Sequence, residues 1–366
     1  MPRIRFVRVY KYDIPMEPFT ISLGTIHAAH NILIEIGLDN GLSGWGEGSP
    51  FPMLVGETQN TGYTLARDFA TLWLGKNPLE HERRMQELNR YMAFHPTLKS
   101  AFDMALYDLR AQMAGLPLYQ YLGGTGRVML TDETIGLSTP ENMVKKALQL
   151  QGKNAPAIKV KLGTNVADDT KRIRMIREAI GPETPLRVDA NQGWDVVSAV
   201  AILQNIAPYY VEYCEEPVPR WNNTGLKAVC DASPIPIMAD ESVFDHHDAQ
   251  RITAMGACDY INIKLAKSGG LWIADKINGI AEAAGIRCMM GSMCESRLGL
   301  TASAHFAAAR TNIFYCDLDM VFTMKADPVE GGMVYKGHEI HLPETPGLGA
   351  TVDPRFLKDL EFYEVA

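Results

Sequence analysis

Between residues 129 and 319, short apolar runs alternate with longer stretches in which apolar positions recur every three or four residues. The first pattern belongs to buried strands and the second to amphipathic helices. Eight runs qualify as strands: MLTDETIG, AIKVKL, PLRVDA, YYVEYC, IPIMA, DYINIKL, RCMMGS and IFYCDLD. Polar residues mark the ends of five successive runs at intervals of 24–28 residues: Lys161, Asp189, Glu215, Asp240 and Lys264. A strand and its crossover helix fill an interval of that kind, so the pattern predicts a parallel β/α barrel. The first third has another texture. Residues 3–12 and 32–38 alternate like strands, and LDNGLSGWGE supplies an Asn-Gly hairpin turn into a third strand. Helical periodicity follows at 58–74, 81–92 and 98–114, the last stopped by Gly115. The expected division is an α+β module over 1–122, a barrel over 123–340 and a tail, 341–366, that packs back on the module.

Strands of a parallel barrel are covered on both faces and should be apolar throughout. These runs break that rule at their C-terminal ends, with Asp189 and Asn191, Glu215, Asp240, Asn262 and Lys264, then Asp317 and Asp319. In IKVKLG, Lys159 and Lys161 share one face, opposite Ile158, Val160 and Leu162. Active sites of such barrels lie at the C-terminal strand ends, so the ring of charges reads as a site and both lysines should face the barrel mouth. The carboxylates of Asp189, Glu215 and Asp240 either pair with the lysines or hold a hard cation; without His or Cys, such a set suits Mg²⁺ or Mn²⁺. Lys161 and Lys264, on strands two and six, fall on opposite sides of the ring and are candidate bases. The alternative is a structural role in ion pairs with Glu216 or Glu241.

Composition narrows the partners. The chain has 366 residues, 46% hydrophobic and 21% charged, with a formal net charge of −8 and no basic run. Nucleic acid and anionic membrane are disfavoured, a small-molecule substrate is expected, and a homo-oligomer is compatible with these values. Six cysteines without a C-x-x-C pair fit a reducing compartment. No apolar stretch reaches the ~18 residues of a membrane span, and the N-terminus lacks the apolar core of a signal peptide. A soluble, cytoplasmic protein is expected. GGTG at 123–126 reads as a turn, His246 and His247 as surface residues at a helix start, and Met289, Met290 and Met293 as core filling, with Met293 also a candidate to line the pocket.

The ordered series K-x-K, VDANQGW, EEPV, MADES and INIKLAKSGG resembles the muconate-lactonising subgroup of the enolase superfamily. The resemblance spans nearly the whole chain. It implies a (β/α)7β TIM-like barrel with an α+β capping domain, Mg²⁺ on Asp189, Glu215 and Asp240, Lys161 and Lys264 as the acid/base pair, and Lys159 near the substrate carboxylate. CDLDM is similar to the dipeptide epimerases, in which this Asp-x-Asp binds the substrate α-ammonium; that assigns Asp317 and Asp319 to the substrate, with Thr134, Met293 and Gly24 beside it. The implied reaction is 1,1-proton transfer at the α-carbon of a dipeptide's C-terminal residue. An o-succinylbenzoate synthase or muconate-type cycloisomerase would share the lysines and metal but give no reason for Asp317 and Asp319; a non-catalytic barrel that only binds amino-acid derivatives would need neither base. In glutamate-preferring members an arginine follows the PF of the capping loop. Here PFTISLGT places Gly24 there, near Phe19, Ile21 and Leu23, and PFPMLVGE adds Phe51, Met53 and Leu54. A small or hydrophobic C-terminal residue is therefore expected rather than Ala-Glu, unless Arg297 supplies the missing charge.

Overall fold

The computed structural model describes residues 2–366. Strands β1 (Ile4–Ile21), β2 (Gly24–Leu38) and β3 (Ser43–Gly48) form an antiparallel meander. One face buries Val7, Val9, Ile32, Ile34 and Ile36 against the helices Gln59–Trp73 and Pro96–Ala114; Tyr10, Tyr12 and Leu33 join the larger core shared with the barrel. Gly46 permits the close approach of β3 to the second helix, since a Cβ there would fall 1.9 Å from the Ala101 carbonyl oxygen. That helix starts two residues before the periodicity does. Pro96 needs no N–H partner in the first turn, and the Glu57 carboxylate accepts the N–H groups of Thr97 and Leu98 at 2.8 and 3.3 Å.

β1 and β2 run well past the expected 3–12 and 32–38. The register slips between Pro15, opposite Ala28, and Phe19, opposite Ile26. Burial alternates on Tyr12, Ile14 and Met16, skips the exposed Glu17 and Pro18, and resumes on Phe19 and Ile21. This bulge breaks the period-two signal, which is why PFTISLGT reads as a loop; it is the tip of a paired hairpin, with Ile21 opposite Gly24.

The run MLTDETIG divides. β4 (Met129–Leu130) leaves the barrel to pair with a C-terminal strand, and only β5 (Glu133–Ile135) enters the ring. The residues between them close it: Thr131 bridges Cys316 in parallel, and the Asp132 N–H donates to the Cys316 carbonyl at 3.2 Å. β6 (Ile158–Lys161), β7 (Leu186–Asp189), β8 (Val211–Glu215), β9 (Ile237–Ala239), β10 (Tyr260–Ile263), β11 (Arg287–Met290) and β12 (Ile313–Cys316) follow in ring order, all parallel. Helices over 140–152, 166–180, 196–206, 223–232, 246–255, 271–283 and 297–309 cover the ring. The architecture is the α/β barrel with an α+β cap that the pattern predicts. After it come β13 (Val329–Gly331), β14 (Val334–Lys336), β15 (Glu339–His341, the partner of β4), β16 (Ala350–Val352) and β17 (Glu361–Val365), which pairs with β1. Among the described residues, no helix is long and apolar enough to cross a membrane.

Candidate active site

β6 is buried at every position. Ile158 and Val160 belong to the core, so the alternate residues Lys159 and Lys161 point into the ring. Lys159 is fully buried and donates to Asp317 Oδ2 at 2.6 Å; it also stands 2.6 Å from Glu215 Oε2 and 3.3 Å from Asp189 Oδ2. Burial works against its charge, but the carboxylates of Asp317, Glu215 and Asp189 hold the ammonium well above the ordinary lysine range. Lys161, one layer nearer the mouth, donates to Asp189 Oδ2 at 2.6 Å. Lys264, directly after β10, donates to Asp240 Oδ2 at 2.7 Å. Its partner is therefore Asp240, rather than Glu216 or Glu241. β6 and β10 stand four places apart in the ring of eight, so the two lysines approach the axis from opposite sides.

Asp189, Glu215 and Asp240 end three adjacent strands or follow them directly. Among the described residues, no three acidic, His or Cys side chains are gathered into a ready-made ligand set; each of these carboxylates is turned to a lysine instead. The donor chemistry nevertheless fits a hard divalent ion. Glu215 Oε2 and Asp240 Oδ1 accept no well-aligned hydrogen bond and are met only by the ammonium groups of Lys159 at 2.6 Å and Lys267 at 3.3 Å. Seven buried carboxylates (Asp189, Glu215, Glu216, Asp240, Glu241, Asp317, Asp319) face four buried lysines (Lys159, Lys161, Lys264, Lys267), an excess of three. The excess shows in the titrations. Burial and Asp189 push Glu215 up to about 8; burial, Asp240 and Glu216 push Glu241 well up. Burial also disfavours the charge of Asp240, yet Lys264 and Lys267 hold it below the usual carboxylate range.

Asp317 and Asp319 follow β12 and are not equivalent. Asp317 is bound to Lys159. Asp319 Oδ2 accepts the Thr134 N–H at 2.6 Å and, among the described residues, forms no ion pair; burial, Asp317 and Asp132 raise its pKa well above the usual range. The half-buried Thr134 lies beside Lys159 in the β5–β6 register. Met293 is buried in the loop after β11, where its N–H donates to Glu295 Oε2 at 2.6 Å. Gly24 sits at the hairpin tip, with space for a Cβ only 3.0 Å from Met53 Sδ. The tip rests on the mouth: Ser22 Oγ donates to the Asn191 carbonyl at 2.7 Å, and the Leu137 N–H to the Thr20 carbonyl at 2.7 Å. Arg297 is not available to this region. Its guanidinium pairs with Asp327 and donates to the carbonyls of Gly331, Met333 and Val329.

Two groups escape the sequence reading. Lys267 is a fully buried ammonium behind Asp240; its signal is a second lysine three residues after Lys264, in an otherwise apolar and glycine-rich run. Glu47 of β3 is also buried. It accepts from Tyr12, from Asn31 Nδ2 at 2.7 Å, and from the N–H groups of Ser296 and Gly299 at 2.8 Å each, tying the cap to the helix that follows the Met293 loop. Nothing but the burial of a lone glutamate among glycines marks it.

Residues 4–123 match the family model described as mandelate racemase / muconate lactonizing enzyme, N-terminal domain, and residues 142–356 match enolase C-terminal domain-like. The hydrophobic dipeptide epimerase of Enterococcus faecalis is 43% identical, over 91% of this chain and 95% of that protein. The L-Ala-D/L-Glu epimerase of Bacillus subtilis is 40% identical, over 91% and 92%. The crystal structure of a dipeptide epimerase from Cytophaga hutchinsonii, complexed with Mg and the dipeptide D-Ala-L-Val, superposes with a TM-score of 0.98 over 100% of both chains at 41% identity.

Proposed function

Since the chain belongs to the mandelate racemase / muconate lactonizing enzyme family of the enolase superfamily, we propose that it is a Mg²⁺-dependent dipeptide epimerase acting at the α-carbon of the C-terminal residue. Its relatives are epimerases and racemases, and the chain is an isomerase. The observation that carries the reading is the pair Lys161 and Lys264, buried, opposed across the ring and each bonded to a different carboxylate. One lysine, as the free amine, takes the α-proton; the other, as ammonium, delivers a proton to the opposite face, and the two exchange protonation states with each inversion. Asp189, Glu215 and Asp240 would hold Mg²⁺. Bound there, the ion supplies positive charge against the substrate carboxylate as the α-proton leaves. Asp319, buried without a cation, supports recognition of an α-ammonium.

A narrower substrate follows from the wall beside the lid. A cavity of about 270 Å³ is lined by Ile26, Phe51, Met53 and Cys294, among others; the Cys294 thiol, pushed up by burial and Glu295, also feels the charges of Lys264 and Lys161. Among the described residues, no Lys or Arg lines it. His30, at its edge, is already paired with Asp13 at 2.7 Å, so a glutamate side chain buried there would meet the amides of Gln59 and Asn60 but no unpaired cation, which is costly. Small or hydrophobic C-terminal residues, as in Ala-Ala or Ala-Val, should be preferred over Ala-Glu. Mass spectrometry of a dipeptide library in D₂O tests both levels. Deuterium should enter the α-position of free dipeptides and not of N-acetylated ones. No exchange with any dipeptide would refute the epimerase reading, and Ala-Glu as the best substrate would refute the preference alone.

A further inference from the structure

Lys267 is a charge that the reaction above leaves unused. Its side chain is 1% exposed. Nζ donates to the carbonyls of Asp240 at 2.9 Å, Asn262 at 2.8 Å and Val243. An ammonium has three hydrogens, and these three carbonyls use them all. A fourth contact, at 3.3 Å, is Asp240 Oδ1, the oxygen that accepts no hydrogen bond. The other oxygen of the same carboxylate takes Lys264 at 2.7 Å. Asp240 thus lies between two ammonium groups of unequal freedom. Lys264 is held at this one carboxylate; Lys267 is fastened to the end of β10, to Asp240 after β9 and to the loop beyond it. The lysines stand three residues apart, Lys264 just before and Lys267 within the single helical turn Leu265–Ser268, and the cap props that turn. Thr97 Oγ1 donates to the Ala266 carbonyl at 3.1 Å, and a Cβ on Gly270 would fall 2.3 Å from Asp103 Oδ2.

We propose that Lys267 is a positioning residue: locked to the carbonyls of two neighbouring strand ends, its ammonium keeps the Asp240 carboxylate in place while Lys264 leaves it for the substrate. A base that must move leaves its counter-charge unpartnered, and a buried carboxylate released in that way would follow it or turn away. Lys267 prevents this with a fixed charge that the chain itself carries, 3.3 Å from Asp240 Oδ1. The assignment rests on the reading of Asp240 as a Mg²⁺ ligand and Lys264 as acid and base.

Calorimetric titration of Mg²⁺ into the metal-free protein tests it without turnover. Loss of a positive charge beside Asp240 by itself favours cation binding, whereas loss of positioning opposes it. K267M should therefore bind Mg²⁺ at least about tenfold more weakly than the parent, a 1.4 kcal/mol change. Equal or tighter binding in a variant with the parent's near-ultraviolet circular dichroism would overturn the proposal. K267A should be weakened likewise and regain affinity in n-propylammonium, which restores stem and charge, but not in tetramethylammonium at the same ionic strength. Recovery with both salts, or with neither, counts against it. If neither variant folds, the parent protein answers through ¹⁵N-lysine spectra. The Lys267 ammonium should exchange its hydrogens slowly with and without Mg²⁺ while the Lys264 signal moves; equally fast exchange at both would overturn the assignment. A parent protein that binds no Mg²⁺ and exchanges no α-proton would instead remove the reading beneath it.

Discussion

At the N-terminal end of the barrel, Arg187 is largely covered by its partners, its side chain 11% exposed. It donates to Glu212 Oε2 and Asp132 Oδ2 at 2.8 Å each, and its guanidinium lies 4.6 Å from the Tyr315 ring centre and 5.6 Å from that of Tyr213. Tyr213 Oη in turn donates to Met289 Sδ at 3.2 Å. At the C-terminal end, the same ring buries more carboxylates than ammonium groups and leaves Asn191 Oδ1, Glu215 Oε2, Asp240 Oδ1 and Glu241 Oε2 without hydrogen bonds. Both ends contain buried charge, so burial alone does not separate a structural plug from a reactive site. The difference is one of degree: around Arg187 one carboxylate oxygen, Asp132 Oδ1, accepts no hydrogen bond, whereas the other end holds several such acceptors. Asp132, between the two, shares both characters. It binds Arg187, yet burial and Asp317 push it up to about 7.

The contrast breaks most sharply on the lysines. K161A and K264A should each lower epimerisation by about 10³–10⁴-fold, with α-deuterium exchange of one epimer surviving in at least one variant; full turnover in either would remove the two-base scheme. R187M, at the other end, should cost about 3 kcal/mol in urea unfolding, because it strands the buried carboxylate of Asp132 while the half-exposed Glu212 turns to water, and should leave kcat of the folded protein within about threefold. A large fall in kcat at parental stability would mean that the plug is part of the site. Glu295, in the Met293 loop, sharpens the comparison through pH. Burial and Glu47 push it up to about 7 from 4.5, so its stabilisation is complete below pH 4.5 and is lost as the pH rises to 7. The loss is about 3 kcal/mol at most. E295Q should lack it and exceed the parent in stability at pH 8 but not at pH 4; parallel profiles would disprove this. Chelation should abolish activity, and Mg²⁺ at a hundred times its Kd should restore it and add about 2.7 kcal/mol of stability, equally in R187M. The smallest effect belongs to Asp319. D319N should raise stability by about 1 kcal/mol, since it removes an unpaired buried charge, while raising KM for free dipeptides; a stability loss with unchanged KM would make Asp319 structural.

The barrel was legible because most of its later strands are apolar runs ended by a charge, and Lys161, Asp189, Glu215, Asp240 and Lys264 keep the step of one repeat. The same rule fails at Met129–Leu130, where two apolar residues continue a strand pattern across a change of sheet. In the cap, the phase slip at Glu17 and Pro18 conceals half of β1. Residue types at the site were readable, but pairings were not. That Lys159 would bind Asp317, or that Arg297 would be consumed by the carbonyls of Val329, Gly331 and Met333, depends on contacts 158 and 32–36 residues apart in sequence. No local pattern encodes these.

The bulge in the hairpin also limits how this lid can change over generations. Between the flanking pairs, four steps along β1 match two along β2, from Pro15–Ala28 to Phe19–Ile26. Inserting or deleting one residue in either arm would turn everything beyond it to the other face, exposing Phe19 and Ile21 and swinging Ser22 away from Asn191. Single-residue length changes are therefore closed to this segment, and paired ones would move the tip by about 7 Å. Change at a fixed arm length is left to side chains: Met53 lines the cavity, and a Cβ on Gly24 would reach it only through Met53, 3.0 Å away.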